Sequence, residues 1–182
     1  GDTYYIRVYT YSSSVNAFSS FNIGIGTPPP PPPPPANDEC VNAITLTPGA
    51  IFNDNALVGT NLGATRNTND PTVTCENFSF TTNGKDVWYK VIIPASGTLT
   101  LETNNNGSSS MTDTGMAAYA GTCENLTLIE CDADDSFDGS FSLINLAGRT
   151  PGEEILVRVW GYNSNEGSFK VSAYDATLSS ED

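Results

Sequence analysis

The stretch Asp86-Val87-Trp88-Tyr89-Lys90-Val91-Ile92-Ile93, then Pro94-Ala95-Ser96-Gly97, then Thr98-Leu99-Thr100-Leu101-Glu102-Thr103, decides the fold class. β-Branched and aromatic residues crowd both flanks of a Pro/Gly turn, a composition that predicts a hairpin over residues 86–103. Outward from it, strands are expected at 116–120, 126–132, 141–146, 155–162 and 168–174. Short strands at this spacing, with no window of helical period, predict an all-β fold, an antiparallel β-sandwich of jelly-roll type. Trp88, Tyr119, Trp160 and Phe169 then fall on strands, where inward-facing core positions explain them better than a platform for stacking carbohydrate.

Composition narrows the function. Seven Lys and Arg against 21 Asp and Glu give the 182 residues a formal charge of -14, and there is no histidine. Such a chain has no electrostatic grip on nucleic-acid phosphate or an anionic membrane. Without histidine, Ser-His-Asp and Cys-His catalysis and the commonest zinc ligand are excluded together, so most hydrolase templates fail. Neither a membrane span nor a signal peptide is visible, and the sequence reads as an internal piece of a longer protein. Cys40, Cys75, Cys123 and Cys131, in a chain rich in Asn, Ser, Thr and Gly, read as two disulfides made in an extracellular or cell-surface setting. Spacing does not choose among the three pairings; Cys40 with Cys75 and Cys123 with Cys131 is the favoured one.

The chain also contains a repeat. Gly1-Asp2-Thr3-Tyr4-Tyr5-Ile6-Arg7-Val8-Tyr9-Thr10-Tyr11 lies without a gap on Gly152-Glu153-Glu154-Ile155-Leu156-Val157-Arg158-Val159-Trp160-Gly161-Tyr162, and Ser20-Phe21-Asn22-Ile23 answers Ser168-Phe169-Lys170-Val171. Two copies of one hairpin about 150 residues apart indicate a tandem module. Between them Pro28 to Pro35 is a run of eight prolines, a polyproline II strut of roughly 25 Å. Residues 1–26 are therefore expected to be the final hairpin of a preceding module, 27–35 a linker, 36–176 a complete sandwich and 177–182 a tail or the next linker. The hairpin strands, 4–10 and 21–25, have an apolar face built by Tyr4, Ile6, Val8, Phe21 and Ile23, and an isolated hairpin is marginal in water. Packing against another module, in the same chain or a neighbouring copy, is expected to order it.

Three constellations could carry chemistry. Cys131-Asp132-Ala133-Asp134-Asp135-Ser136-Phe137-Asp138-Gly139 approximates a calcium loop, in which hard oxygen ligands converge around a turn glycine. Asp132, Asp134, Ser136 and Asp138 are its candidate ligands, and Asp38, Glu39 and Asp86 could supplement it if the fold gathers them at one end. A solvated acidic loop explains the same residues. Asp113-Thr114-Gly115 matches the aspartic-protease triplet, but that mechanism needs two such carboxylates, so a strand entry is the better reading. Gly24-Ile25-Gly26 runs into proline where a nucleotide-binding helix should start, and is read as a strand end.

The ordered series Ala36-Asn37-Asp38-Glu39-Cys40, Asp86-Val87-Trp88-Tyr89-Lys90, Asp113-Thr114, Tyr119-Ala120-Gly121-Thr122-Cys123, Leu128-Ile129-Glu130-Cys131-Asp132, Thr150-Pro151-Gly152 and Arg158-Val159-Trp160-Gly161-Tyr162 resembles a family of repeated surface modules from Bacteroidetes. These look like relatives of the bacterial pre-peptidase C-terminal domain, a jelly-roll sandwich found beside secreted enzymes and in adhesins and commonly exported by the type IX system. The resemblance implies binding or spacing rather than catalysis. It also implies structural calcium at Asp38, Glu39 and Asp86, by likeness to collagen-binding relatives. The expected function is a structural or adhesive repeat module of a large secreted or surface protein, partnered by neighbouring copies and assembling into a fibre through its first hairpin. The alternative is a carbohydrate- or protein-binding accessory module of a secreted enzyme.

Overall fold

A computed structural model describes residues 2–9, 20–72, 74, 75, 78, 79 and 85–180. The chain divides into two units, residues 1–30 and 31–182.

The larger unit is a two-sheet sandwich. One sheet runs, in spatial order, β1 (Ile44–Thr45), β5 (Asp86–Ile92), β10 (Glu154–Gly161), β7 (Thr114–Thr122) and β8 (Asn125–Asp132). The other runs β2 (Leu57–Thr60), β11 (Ser168–Tyr174), β6 (Leu99–Asn105) and β9 (Leu143–Leu146). A separate ribbon pairs β3 (Thr74–Cys75) with β4 (Phe78–Ser79). The ladders are antiparallel except where β1 lies parallel to β5. The expected sandwich is the observed fold.

The expected hairpin over 86–103 is not a hairpin. β5 sits between β1 and β10, whereas β6 sits between β11 and β9 in the opposite sheet. The Pro/Gly turn does reverse the chain, with Gly97 N donating to Pro94 O at 3.0 Å and Gly97 itself at φ +71°. It is an arch between sheets, whose far side is tied down by Arg149 N donating to Gly97 O at 2.9 Å. Alternation assigns a residue to a face, but a strand with one face toward the core satisfies it equally in either sheet. β10 and β11 are likewise in opposite sheets, so the repeated "hairpin" is also an arch. Within the two sheets, among the described residues, consecutive strands pair directly only at β7 and β8.

The core lies between the sheets. Val87, Tyr89 and Val91 of β5 and Ile155, Val157 and Val159 of β10 meet Leu99, Leu101, Phe169 and Val171 from the facing sheet. Full burial of side chains of this size contributes about 1.5–3 kcal/mol each. A second apolar cluster occupies the outer face of the five-stranded sheet: Trp88, Ala117, Tyr119, Leu156 and Trp160, with Cys40. The four aromatic residues singled out from the sequence are all buried, but only Phe169 packs between the sheets. The other three need a cover over the outer face, which the segments before β1 and β5 supply.

In the smaller unit, residues 4–9 and 21–25 form no strands, contrary to expectation, and Thr10 lies outside the described residues. Tyr4, Ile6, Val8, Phe21 and Ile23 are 51 to 82 % exposed. In sequence these segments match β10 and β11, which lie in opposite sheets and do not pair with each other.

Candidate binding cleft

The outer face of the five-stranded sheet is closed by a disulfide and a buried ion pair. Cys40 lies on a 3-10 turn, Cys40–Asn42, and Cys123 in the turn joining β7 to β8; the two are bonded, with Cα atoms 5.7 Å apart. This corrects both favoured pairings. Cys123 precedes β8 and Cys131 lies near its far end, which at about 3.3 Å per residue puts them on the order of 20 Å apart, far beyond disulfide reach. Cys131 is disulfide-bonded as well.

The entry segment is stitched to β5 by Asn37, whose carbonyl accepts from Trp88 N at 2.8 Å and whose Nδ2 donates to Trp88 O at 2.9 Å. Beside it runs the loop 61–72. Asn61, fully buried, anchors one end: its Nδ2 donates to Lys85 O and Asn165 O, and its Oδ1 accepts from Gly167 N. Thr65 donates through both its N and its Oγ1 to Asp38, each at 2.7 Å. Asn67 Nδ2 donates to Glu39 Oε2 at 2.8 Å, and Asn67 Oδ1 accepts from Asn69 N at 3.0 Å. Gly63 adopts φ +77° with the Pro32 and Pro33 carbonyls so close that a Cβ would meet them at 2.8 and 2.9 Å, which makes glycine the residue that fits there.

Arg158 holds the loop's far end. Its Nη1 donates to Pro71 O at 2.8 Å, its Nη2 lies 3.7 Å from Asp70 Oδ2, and its Nε donates to Asp86 Oδ2 at 2.6 Å. The guanidinium stacks 5.5 Å from the centre of the Trp88 ring, an arrangement suited to a planar cation. Burial pushes the Asp70 carboxyl above the usual range, while the Arg158 charge opposes that shift.

Two depressions open on either side of the disulfide. One, of about 260 Å3, is lined by Glu39, Asn67, Asn69, Asp70 and Glu124; the other, of about 280 Å3, by Val41, Ala43, Lys90, Glu154 and Leu156. Both are bordered by Cys40, Cys123 and Glu124. A bond from the Thr122 side chain holds the Glu124 carboxyl below its ordinary range. The first depression offers three carboxylates and two amides from three segments, with Glu39 bonded to Asn67 and Asp70 beside Arg158.

The acidic residues read as metal ligands are placed as follows. Asp38 caps Thr65, Glu39 faces the cleft, and Asp86 pairs with Arg158. In the acidic loop, Asp132 Oδ2 accepts from Asp135 N at 3.1 Å and Leu143 N at 2.8 Å, Ser136 Oγ donates to Glu102 at 3.0 Å, and Asp138 Oδ1 accepts from Ser140 N at 3.3 Å. Asp134 is exposed, and its charge adds to the burial that raises Asp113 to about 6. Among the described residues no three His, Cys, Asp or Glu side chains converge as a metal-holding group. In the triplet Asp113-Thr114-Gly115, Thr114 begins β7 and its Oγ1 lies 2.7 Å from Thr103 Oγ1, so it is a strand entry.

Sequence reasoning missed the cleft. Asn67, Asn69 and Glu124 belong to no spacing motif; only the shared Arg-Val of the two copies marked Arg158, without showing that it is buried.

The two-sheet sandwich with a polar cleft beside a covered outer face suits a non-catalytic accessory or binding module, and the family match supports that class. Residues 36–169 match the family described as galactose-binding-domain-like and associated with the type IX secretion system, and the chain belongs to that family. No curated protein and no solved structure matches it. Family and disulfide together point to an extracellular or cell-surface protein. Among the described residues no helix is long and apolar enough to cross a membrane.

Proposed function

We propose that residues 36–176 form an adhesive module of a secreted or surface protein, and that its cleft beside Cys40–Cys123 binds glycan. The observation that carries this reading is the set of Glu39, Asn67, Asn69, Asp70 and Glu124 around one depression. Glu39 and Asn67, held to each other, and Asp70, held beside Arg158, accept from or donate to sugar hydroxyls at small entropic cost, with Asn69 and Glu124 on the exposed rim. Trp88, Tyr119 and Trp160 act from beneath as the support of the cleft, since all three are buried. Repetition along a longer chain would add avidity to weak single sites.

A glycan array probed with the full chain tests this. Saturable binding that is lost in Asn67→Ala and in Glu124→Ala supports the proposal. Absence of binding to every glycan, or binding indifferent to both substitutions, overturns it; capture of a protein ligand at the same cleft would replace glycan with peptide as the ligand class.

A further inference from the structure

We infer that residues 2–9 and 20–25 are the closing strands of a second sandwich of this family, entering its two opposite sheets as central strands, with Arg7 as the buried partner of a carboxylate there. Tyr4, Ile6 and Val8 fall on Ile155, Val157 and Val159, and Phe21, Ile23 and Ile25 on Phe169, Val171 and Ala173. Every one of the latter six is at most 1 % exposed in the core between the sheets, whereas the former six are 51 to 89 % exposed. Six large apolar side chains at alternate positions are a face built for burial.

The match also states what must cover that face. β10 lies between β5 and β7, and β11 between β2 and β6. Residues 2–9 and 20–25 therefore need four neighbouring strands, two in each sheet, and a single flat edge cannot receive both. Arg7 falls on Arg158, which is 1 % exposed and bonded to Asp86, two residues before Trp88 on the neighbouring strand. A buried arginine is tolerated only against a counter-charge. The receiving sandwich is thus one whose β5-like strand carries an Asp two residues ahead of an aromatic, the chemistry of this same module. Tyr5 and Tyr9, 95 and 77 % exposed, fall on Leu156 and Trp160 and would be covered by that sandwich's own entry loop.

Two measurements test the inference. In the 182-residue chain, NMR is expected to find no cross-strand contact between Ile6 and Ile23; such contacts would restore a self-paired hairpin and overturn it. In a longer chain with a copy of residues 36–151 placed ahead of Gly1, the amides of residues 4–9 and 21–25 are expected to gain at least 100-fold protection from hydrogen exchange. Arg7→Ala, or Asp86→Ala in the leading copy alone, is expected to remove that protection while leaving the following sandwich protected. Amides that stay unprotected in the longer chain, or protection indifferent to both substitutions, overturn the inference.

Discussion

Arg158 Nε lies 2.6 Å from Asp86 Oδ2, and both side chains are 1 % exposed. This pair joins two adjacent strands of the outer-face sheet and, through Pro71 and Asp70, fixes the loop that shapes the cleft. Removing one partner leaves a buried charge uncompensated, so Asp86→Ala is expected to cost about 3–5 kcal/mol in urea unfolding. The double replacement Asp86→Leu with Arg158→Met should cost less than either single change. A double variant that costs the sum of the two single changes would mean that the pair is not coupled.

The disulfide Cys40–Cys123 spans 83 residues. Restricting a loop of that length in the unfolded chain stabilises by about 4–5 kcal/mol in the chain-entropy account, and native bridges commonly deliver 2–5. Cys40→Ser is expected to lower the melting temperature accordingly. Mapping of unreduced peptides should recover Cys40 joined to Cys123; a Cys40–Cys75 peptide would contradict the assignment.

Gly115 is cross-strand to Trp160, and a Cβ there would lie 2.4 Å from the indole ring. Gly115→Ala must displace the ring from the outer-face cluster, at a cost of about 1–3 kcal/mol. Near-neutral stability with unchanged tryptophan fluorescence would show that the ring has room to move.

Burial, then the nearby Asp134 charge, raises Asp113 from its ordinary 3.8 to about 6 in the folded chain. The folded state therefore holds the proton more tightly, and its contribution to stability is complete below about pH 4 and lost as the pH rises through about 6. Asp113→Asn should raise the melting temperature at pH 7.5 and leave it nearly unchanged at pH 4. The same shift at both pH values would remove Asp113 as the cause.

The strands were legible because a sandwich writes its core in alternate residues: Val87, Tyr89 and Val91 on one strand, Phe169 and Val171 on another. What alternation cannot express is partnership. The turn at Pro94 to Gly97 reads identically whether the next strand pairs beside β5 or crosses to face it, and the disulfide depends on that choice. Trp88 and Trp160 were legible as buried, but not that a loop without periodicity would bury them on the outer face. The acidic residues showed the opposite difficulty: Asp134, Ser136 and Asp138 have calcium-loop spacing, yet in the fold Ser136 donates to Glu102 and Asp138 accepts from Ser140 N. The cleft was illegible because Glu39, Asn67, Asn69 and Glu124 meet only after the disulfide and the Arg158 anchor have brought three separate segments together.

The most direct test of the module's role is an NMR titration of the 15N-labelled full chain with the strongest array glycan. Saturable shifts centred on Asn67, Asn69, Asp70 and Glu124, with Thr100 and Asn145 of the other sheet unmoved, are the result expected. Shifts confined to any other surface, or none at all, would contradict the assignment of this cleft as the binding site.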